Sequence, residues 1–245
     1  MKELIMNENF TIYKKKDIYE LKLENKKYSL RNKLINSLLI TNIIKSGYNN
    51  ENKDKIILKL NSIESLNDFL DRKKKDFKIT KNINTINNII KKIINDLVIQ
   101  LNYLLENENS IFLGYNIENI IVINEDTFVF LDLNLIVDLD EKLNINIYYP
   151  YERDDFYFSH ELNEIKNLPS KISYKTCYYS LGYLIINLII KLYDKDNLLK
   201  LNLNDEKINE ILDNLINENL ISYKLYYFLQ KCLERNIEDR FLLYI

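Results

Sequence analysis

Glycine, proline, cysteine and histidine are all scarce in this 245-residue chain, and alanine and tryptophan are absent. The three glycines, Gly47, Gly114 and Gly182, are too scattered for a glycine-rich phosphate loop. Such a loop needs several backbone N–H groups to approach phosphate oxygens with no Cβ in the way. One histidine, His160, and two distant cysteines, Cys177 and Cys232, argue against the usual zinc sets and against a Ser–His or Cys–His nucleophile pair. The cysteines read as buried, reduced thiols of a cytosolic protein. With Pro150 and Pro169 the only prolines, boundaries must be sought in changes of pattern. No charge of one sign prevails: the net charge is −2 and the pI about 5.7, so nucleic acid is not an expected partner. The longest apolar run, Leu181–Leu192, contains Asn187 and Lys191 and is too short to span a bilayer, so no membrane role is expected. Met1–Phe10 carries Lys2, Glu3 and Glu8 without an apolar core, which predicts no secretory leader.

Asn, Ile, Lys, Leu and Tyr dominate instead, as A/T-rich codons favour, so Asn runs are weak evidence for disorder. Hydrophobic content of 47% with 29% charged residues fits a soluble globular chain, long enough for one core or two unequal lobes. Phe10–Leu30 reads as extended, because Tyr19, Leu21 and Leu23 alternate with Glu20, Lys22 and Glu24. Arg31–Ser46 reads as a helix carrying Leu34, Ile35, Leu38, Leu39 and Ile43, with Gly47 as its C-cap. A short strand at Lys55–Leu60 follows, then a helix begun by an Asn61/Glu64 capping box. Asn84–Leu105 is the clearest amphipathic helix. Ile120–Ile123 and Thr127–Leu131 read as a hairpin turning at Asn124-Glu125-Asp126. Leu135–Leu168 is irregular and polar. Ser180–Tyr193, apolar nearly all round, belongs at the centre of a domain, and amphipathic helices at Ile208–Ile216 and Tyr223–Leu233 precede a short terminal piece. The expected class is α+β, divided into a strand-bearing part at 1–60 and a helical part at 61–245.

Several segments resemble the eukaryotic-type protein kinase fold, with a reduced N-lobe. Leu113–Ile120 resembles the catalytic loop H-R-D-L-K-P-E-N-I, with Phe112 at the His, Leu113 at the Arg, Gly114 at the catalytic Asp and Asn119 at the metal-binding Asn. Asp132-Leu133-Asn134 resembles D-F-G, 13 residues beyond Asn119. Ser159-His160-Glu161 resembles the end of an activation segment, Tyr179–Gly182 the start of the buried central helix, and Cys232–Arg240 the closing C-L-x-x-D-P-x-x-R segment. Composition and Ile172–Gly182 also resemble kinase-like proteins of large A/T-rich DNA viruses, which implies the host cytoplasm as location.

The resemblance implies Asn119 and Asp132 as Mg²⁺ ligands, with Lys22 as the third residue that would hold ATP. It also implies Glu161 and Arg240 as a structural pair. Three departures argue against catalysis. Gly114 has no side chain to accept a proton, and Glu118 lies on a different backbone path. Arg31–Ser46 contains no acid to pair with Lys22. Residues 1–30 contain no glycine for a lid. The expected function is therefore a catalytically impaired kinase-like protein, a pseudokinase that binds a protein partner, with nucleotide binding weak or absent. The alternatives are an active, divergent Ser/Thr kinase using Mg-ATP and an unrelated interaction protein. Tyr148, Tyr149, Tyr151, Tyr157 and Phe158 are candidates for an exposed docking surface or for packing of the activation-like segment.

Overall fold

Period-two alternation near the N-terminus produces strands in the computed structural model of the chain, which describes all residues except 1, 17, 25–27, 45–46, 50–54, 81, 150–156 and 194–204. Strands β1 (Lys2–Met6), β2 (Phe10–Lys15) and β3 (Ile18–Leu23) run antiparallel in succession, and Lys16 turns the second hairpin with a φ of 54°. The described residues of the stretch expected to be extended over Phe10–Leu30 include two strands and the beginning of helix α1 (Tyr28–Leu39). β4 (Gly47–Asn49) and β5 (Lys55–Leu58) complete a five-stranded sheet in the order β1-β2-β3-β5-β4. Ile12, Leu21 and Ile56 lie side by side across three strands, and Phe10 pairs with Leu23; all are buried. Alternation leaves Glu20 and Lys22 partly exposed.

Helix α1 buries Leu34, Ile35 and Leu38 but stops earlier than the apolar spacing suggests. Asn42 adopts a φ of 59°, and the Ile44 N–H returns to the Leu38 carbonyl at 3.0 Å. An asparagine supplies the left-handed residue that closes the helix, and Gly47, expected as the C-cap, opens β4 instead.

β6 (Ile63–Ser65) comes next, where a capping box at Asn61 and Glu64 was expected. Ser65 caps helix α2 (Leu66–Thr80), its Oγ accepting the Asp68 N–H at 3.1 Å. α3 (Ile83–Glu108) is followed by β7 (Ser110–Phe112), β8 (Ile120–Ile123), β9 (Thr127–Phe130) and β10 (Ile136–Asp138). Strands β6, β8 and β9 form one antiparallel sheet and β7 pairs with β10. Asn124 and Glu125, both at positive φ, make the tight turn between β8 and β9.

The free edge of β9 is covered by α3. Asp96 and Gln100, one helical turn apart and both buried, hydrogen-bond its backbone. Asp96 Oδ2 accepts the Phe128 N–H at 2.9 Å; Gln100 accepts the Phe130 N–H at 3.0 Å and donates to the Phe130 carbonyl at 3.2 Å. Burial raises the Asp96 pKa, opposed by Lys92 at 2.7 Å and by the Phe128 amide.

The segment expected to be irregular contains β11 (Asn144–Ile147) and helix α4 (His160–Asn163), and β12 (Ser170–Ser173) pairs with β11. α5 (Thr176–Leu192) is buried along its whole length except at Tyr183 and Lys191. Gly182 permits close packing there: a Cβ would lie 2.8 Å from Cys232 Cβ, on α7 (Tyr223–Cys232), which follows α6 (Asp205–Asn217). Both cysteines are free and buried.

The chain is an α+β protein with two compact units interleaved in sequence. Met1–Phe69, Lys92–Phe112 and Ile117–Asp138 form the first; Leu70–Lys91, Leu113–Asn116 and Leu139–Ile245 form the second. The sequence division at residue 60 follows chain order, whereas the units interleave, with the β8–β9 hairpin joining β6 in the first. Among the described residues no helix is long and apolar enough to cross a membrane.

Gln100→Leu strands a buried N–H and weakens the satisfaction of a carbonyl on β9, so it should cost about 2 kcal/mol in urea unfolding. A loss below about 0.5 kcal/mol would mean that the edge of β9 does not depend on α3.

Candidate functional site

The β1–β2 connection is built on an asparagine. The Asn7 side-chain oxygen accepts the N–H groups of Asn9 and Phe10, each at 2.9 Å, the local bonding that favours Asn in turns. Both lone-pair partners are backbone donors, so the orientation of this amide is set: oxygen toward its own turn, nitrogen outward. That nitrogen donates to Asn119 Oδ1 at 2.9 Å and to the Glu118 carbonyl at 3.3 Å.

Asn119 ends a 3₁₀ turn at Ile117–Asn119, immediately before β8. Its carbonyl accepts the Leu131 N–H at 2.8 Å across the base of the β8–β9 hairpin. A spacing of 13 residues therefore brings Asn119 beside Asp132 through hairpin geometry alone. With Asn119 Oδ1 already engaged by Asn7, its Nδ2 faces Asp132 and donates to Oδ2 at 2.7 Å.

Asp132 caps a 3₁₀ turn at Leu133–Leu135, and its Oδ1 accepts the Asn134 N–H at 2.9 Å. Asn134 then donates its side-chain amide to Asn9 Oδ1 at 2.8 Å. The circuit closes, because the Asn9 N–H is bonded to Asn7. Asn9, Asn119 and Asp132 are at most 4% exposed. Asn9 Nδ2 is buried without a hydrogen-bond partner.

This geometry tests whether the pair is arranged for Mg²⁺. A shared cation needs oxygens from both residues converging on one point at close to octahedral geometry. Here Asn119 turns a nitrogen donor toward Asp132, and Asn119 Oδ1 and both Asp132 oxygens each accept a hydrogen bond from the chain. The pair as arranged does not fit a bound divalent cation. Among the described residues no group of three or more His, Cys, Asp or Glu side chains could hold a metal.

Lys22, in the same unit, donates to both carboxylate oxygens of Glu24, at 3.1 and 2.8 Å, two residues on and just past the end of β3. That bond, against a smaller opposing effect of burial, lowers the Glu24 pKa, and Thr11 Oγ1 also donates to Glu24 at 3.0 Å. α1 offers no acid to Lys22. A cavity of about 660 Å³ in this unit, lined by Lys15, Lys16, Ile18, Glu20, Ile57 and Lys59 among others, includes none of the predicted site residues.

Gly114 and the Glu161–Arg240 pair belong to the second unit. Gly114 is a site of close approach: a Cβ there would stand within 3.0 Å of the Phe158 ring and 3.1 Å from the Tyr157 carbonyl oxygen. A backbone bridge between Tyr115 and Tyr157 holds the two segments together, with the Tyr157 N–H donating to the Tyr115 carbonyl at 2.8 Å. Phe158 is 4% exposed, so it is packing rather than docking surface, and Tyr157 is half-buried with its ring 5.5 Å from that of Tyr183. Tyr148 and Tyr149 are 62% and 78% exposed, and Tyr151 lies outside the described residues. Glu118 is exposed.

Arg240 is fully buried. Its Nη2 donates to Glu161 Oε1, its Nε to the Glu234 carbonyl at 2.6 Å, and its guanidinium lies 4.8 Å from the centre of the Tyr179 ring. His160 Nε2 is 3.0 Å from the same Glu161 oxygen. Burial alone would raise the Glu161 pKa, but the hydrogen bond and charge of Arg240 outweigh it and the net shift is downward.

Asn7 and Asn9 were not singled out in the sequence, and Asn134 entered only as the last residue of the D-F-G-like tripeptide. The available signal was an Asn-x-Asn turn ahead of a strand, masked by the abundance of asparagine throughout the chain.

A carboxyl with a lowered folded-state pKa stabilises the fold above its ordinary pKa of 4.5, and that contribution is lost as pH falls through the folded value. Glu161→Gln should therefore cost about 2–3 kcal/mol near pH 7, with the gap to wild type narrowing below pH 4.5. A gap independent of pH in denaturant unfolding would show that the Glu161 charge contributes nothing.

No protein-family model matches the sequence, and no curated protein matches it.

Proposed function

We propose that this chain is a catalytically impaired protein-kinase-like protein, a pseudokinase that serves as a protein-binding module. The five-stranded antiparallel order with a single helix between β3 and β4 supports the kinase-like reading. So do the hairpin joining Asn119 to Asp132, the buried helix α5 and the ion pair of Glu161 with Arg240.

The observation that carries the impairment is the packing of Phe158 on Gly114. In a kinase this position supplies the carboxylate that accepts the substrate hydroxyl proton and orients the attacking oxygen. Here the first atom of any side chain would collide with an aromatic ring and approach a backbone carbonyl. The loss therefore goes beyond one substitution, since the space for the group is filled. The arrangement of Asn119 and Asp132 agrees with it, because those residues hydrogen-bond each other instead of converging their oxygens. Phosphoryl transfer depends on positioned charges, and neither set is assembled.

Exposed Tyr148 and Tyr149, just beyond β11, support the binding half of the proposal. Tyrosine supplies a large contact area at small entropic cost and is enriched at interfaces. The acidic pI and small net charge favour a protein partner over nucleic acid.

In a radiolabelled Mg-ATP assay with generic protein substrates, wild type should transfer no phosphate above background. Gly114→Asp should not gain activity, and overpacking at Phe158 should cost about 1–3 kcal/mol of stability. Turnover by wild type that disappears in Asp132→Ala would overturn the proposal and favour an active, divergent kinase.

A further inference from the structure

We propose that β1 is a self-association edge: two copies of the chain pair β1 with β1, antiparallel about a two-fold axis, and join their five-stranded sheets into one. The inference does not depend on the kinase-like reading.

β1 lies at one end of the strand order, and among the described residues no strand pairs with its outer side. The opposite edge is β4, a strand of three residues that begins with a glycine. An edge strand offers a row of N–H and C=O groups to a further strand, and proteins blunt such an edge with lysine, proline or inward-pointing charge. None of these stands at the centre of β1, where Leu4-Ile5-Met6 is an uncharged apolar triplet. Met6 is 67% exposed, and Ile5, on the other face, is only half-buried. The β1–β2 ladder shifts register between Glu3 and Ile5, which leaves Leu4 without a partner residue on β2 and 37% exposed. This bulge adds apolar surface to the edge instead of contact with the sheet.

The backbone is set for pairing at the same residues. The Asn7 N–H donates to the Phe10 carbonyl at 3.0 Å, so Asn7 faces β2. In an antiparallel ladder such residues alternate with residues whose polar groups face away. Met6 therefore turns its N–H and C=O to the outer side, and Ile5, opposite Ile12, faces β2 again.

A second copy is the occupant that the sequence fits. A two-fold axis runs the two strands antiparallel and makes every contact reciprocal. Alternation admits only registers that oppose two outward-facing residues. The register centred on Ile5 sets Leu4 opposite Met6 and Ile5 opposite Ile5. It also sets Glu3 opposite Asn7 and Lys2 opposite Glu8, so no like charges meet. Centring on Leu4 would set Glu3 against Ile5, and centring on Met6 would set Leu4 against Glu8. The Ile5-centred register alone of the three matches the whole apolar triplet with itself. One strand pair covers less than the roughly 1,000 Å² of a stable interface, so the dimer is reversible and forms as concentration rises.

Sedimentation velocity of the full chain at increasing concentration should show monomer passing into dimer. Met6→Lys changes an exposed residue, so the circular dichroism should not change, while the dimer should weaken at least about tenfold. Tyr244→Ser, at a 98% exposed position outside the sheet, should leave the dimer as it is. Register is read by cross-linking with diamide, which takes two hydrogens from a pair of thiols to leave one disulfide. Both native cysteines are buried, so wild type should give no cross-linked dimer. Ile5→Cys should cross-link with itself. An equimolar mixture of Leu4→Cys and Met6→Cys should cross-link faster than either variant alone. If Ile5→Cys does not fold, the mixture still decides the register, because both of its sites are exposed. Wild type that stays monomeric at every concentration would overturn the inference and leave the edge to a strand of another protein. A dimer indifferent to Met6→Lys, or a mixture no faster than its components, would overturn it as well.

Discussion

The site depends on the two backbone N–H groups of Asn9 and Phe10 that point at one side-chain oxygen. They orient Asn7; its amide and the Asp132 carboxylate, which only accepts, together hold Asn119 with its oxygen toward Asn7 and its nitrogen toward Asp132. Every step is a bond of 2.7 to 2.9 Å between neutral amides or an amide and a carboxylate, in surroundings at most 4% exposed at Asn9, Asn119 and Asp132. In such surroundings hydrogen bonds are strong, and reversing a donor leaves a buried polar group unmatched. Asn134 and Asn9 close the circuit, the Asn134 backbone N–H donating to Asp132 and its side-chain amide to Asn9.

Glycine scarcity has a matching logic in the second unit. Two of the three glycines lie where a Cβ would meet a side chain at under about 3 Å: Gly114 against Phe158 and Gly182 against Cys232. Where the backbone needs only a left-handed residue, asparagine serves, as at Asn42 and Asn124. Glycine here is a packing residue, and the turn chemistry it often supplies is carried by asparagine. The same residue type forms the polar circuit of the first unit. A biased composition has thus put amides to uses that glycine and ions serve elsewhere.

Much of the architecture was legible because it follows from periodicity. α3 and α5 announce themselves by apolar spacing, and the β8–β9 hairpin by β-branched runs around Asn124-Glu125-Asp126. The α1 terminus was not legible, because Asn42 could close the helix as well as the more conspicuous Gly47. β1 was hidden because Lys2–Met6 carries too little alternation to suggest a strand. Asp96 and Gln100 drew no notice in the sequence, and only the position of β9 shows what they satisfy. At the site, the positions of Asn119 and Asp132 could be read from the hairpin spacing. The partner of Asn119 on its other side could not, because Asn7 is related to it by hydrogen bonding alone. Likewise, the absence of a side chain at Gly114 was visible in the sequence, but the ring that fills its place was not.

The central claim is that Asn119 and Asp132 are satisfied by the chain itself and do not take up a metal–nucleotide complex. The most direct measurement is solution NMR of protein labelled with ¹⁵N at asparagine, following the side-chain amides of Asn7 and Asn119 during titration with Mg-ATP. The account predicts two pairs of slowly exchanging NH₂ resonances, shifted as in strong hydrogen bonds and unmoved by millimolar ligand. Saturable movement of both pairs, with loss of the exchange protection of Asn119, would contradict it.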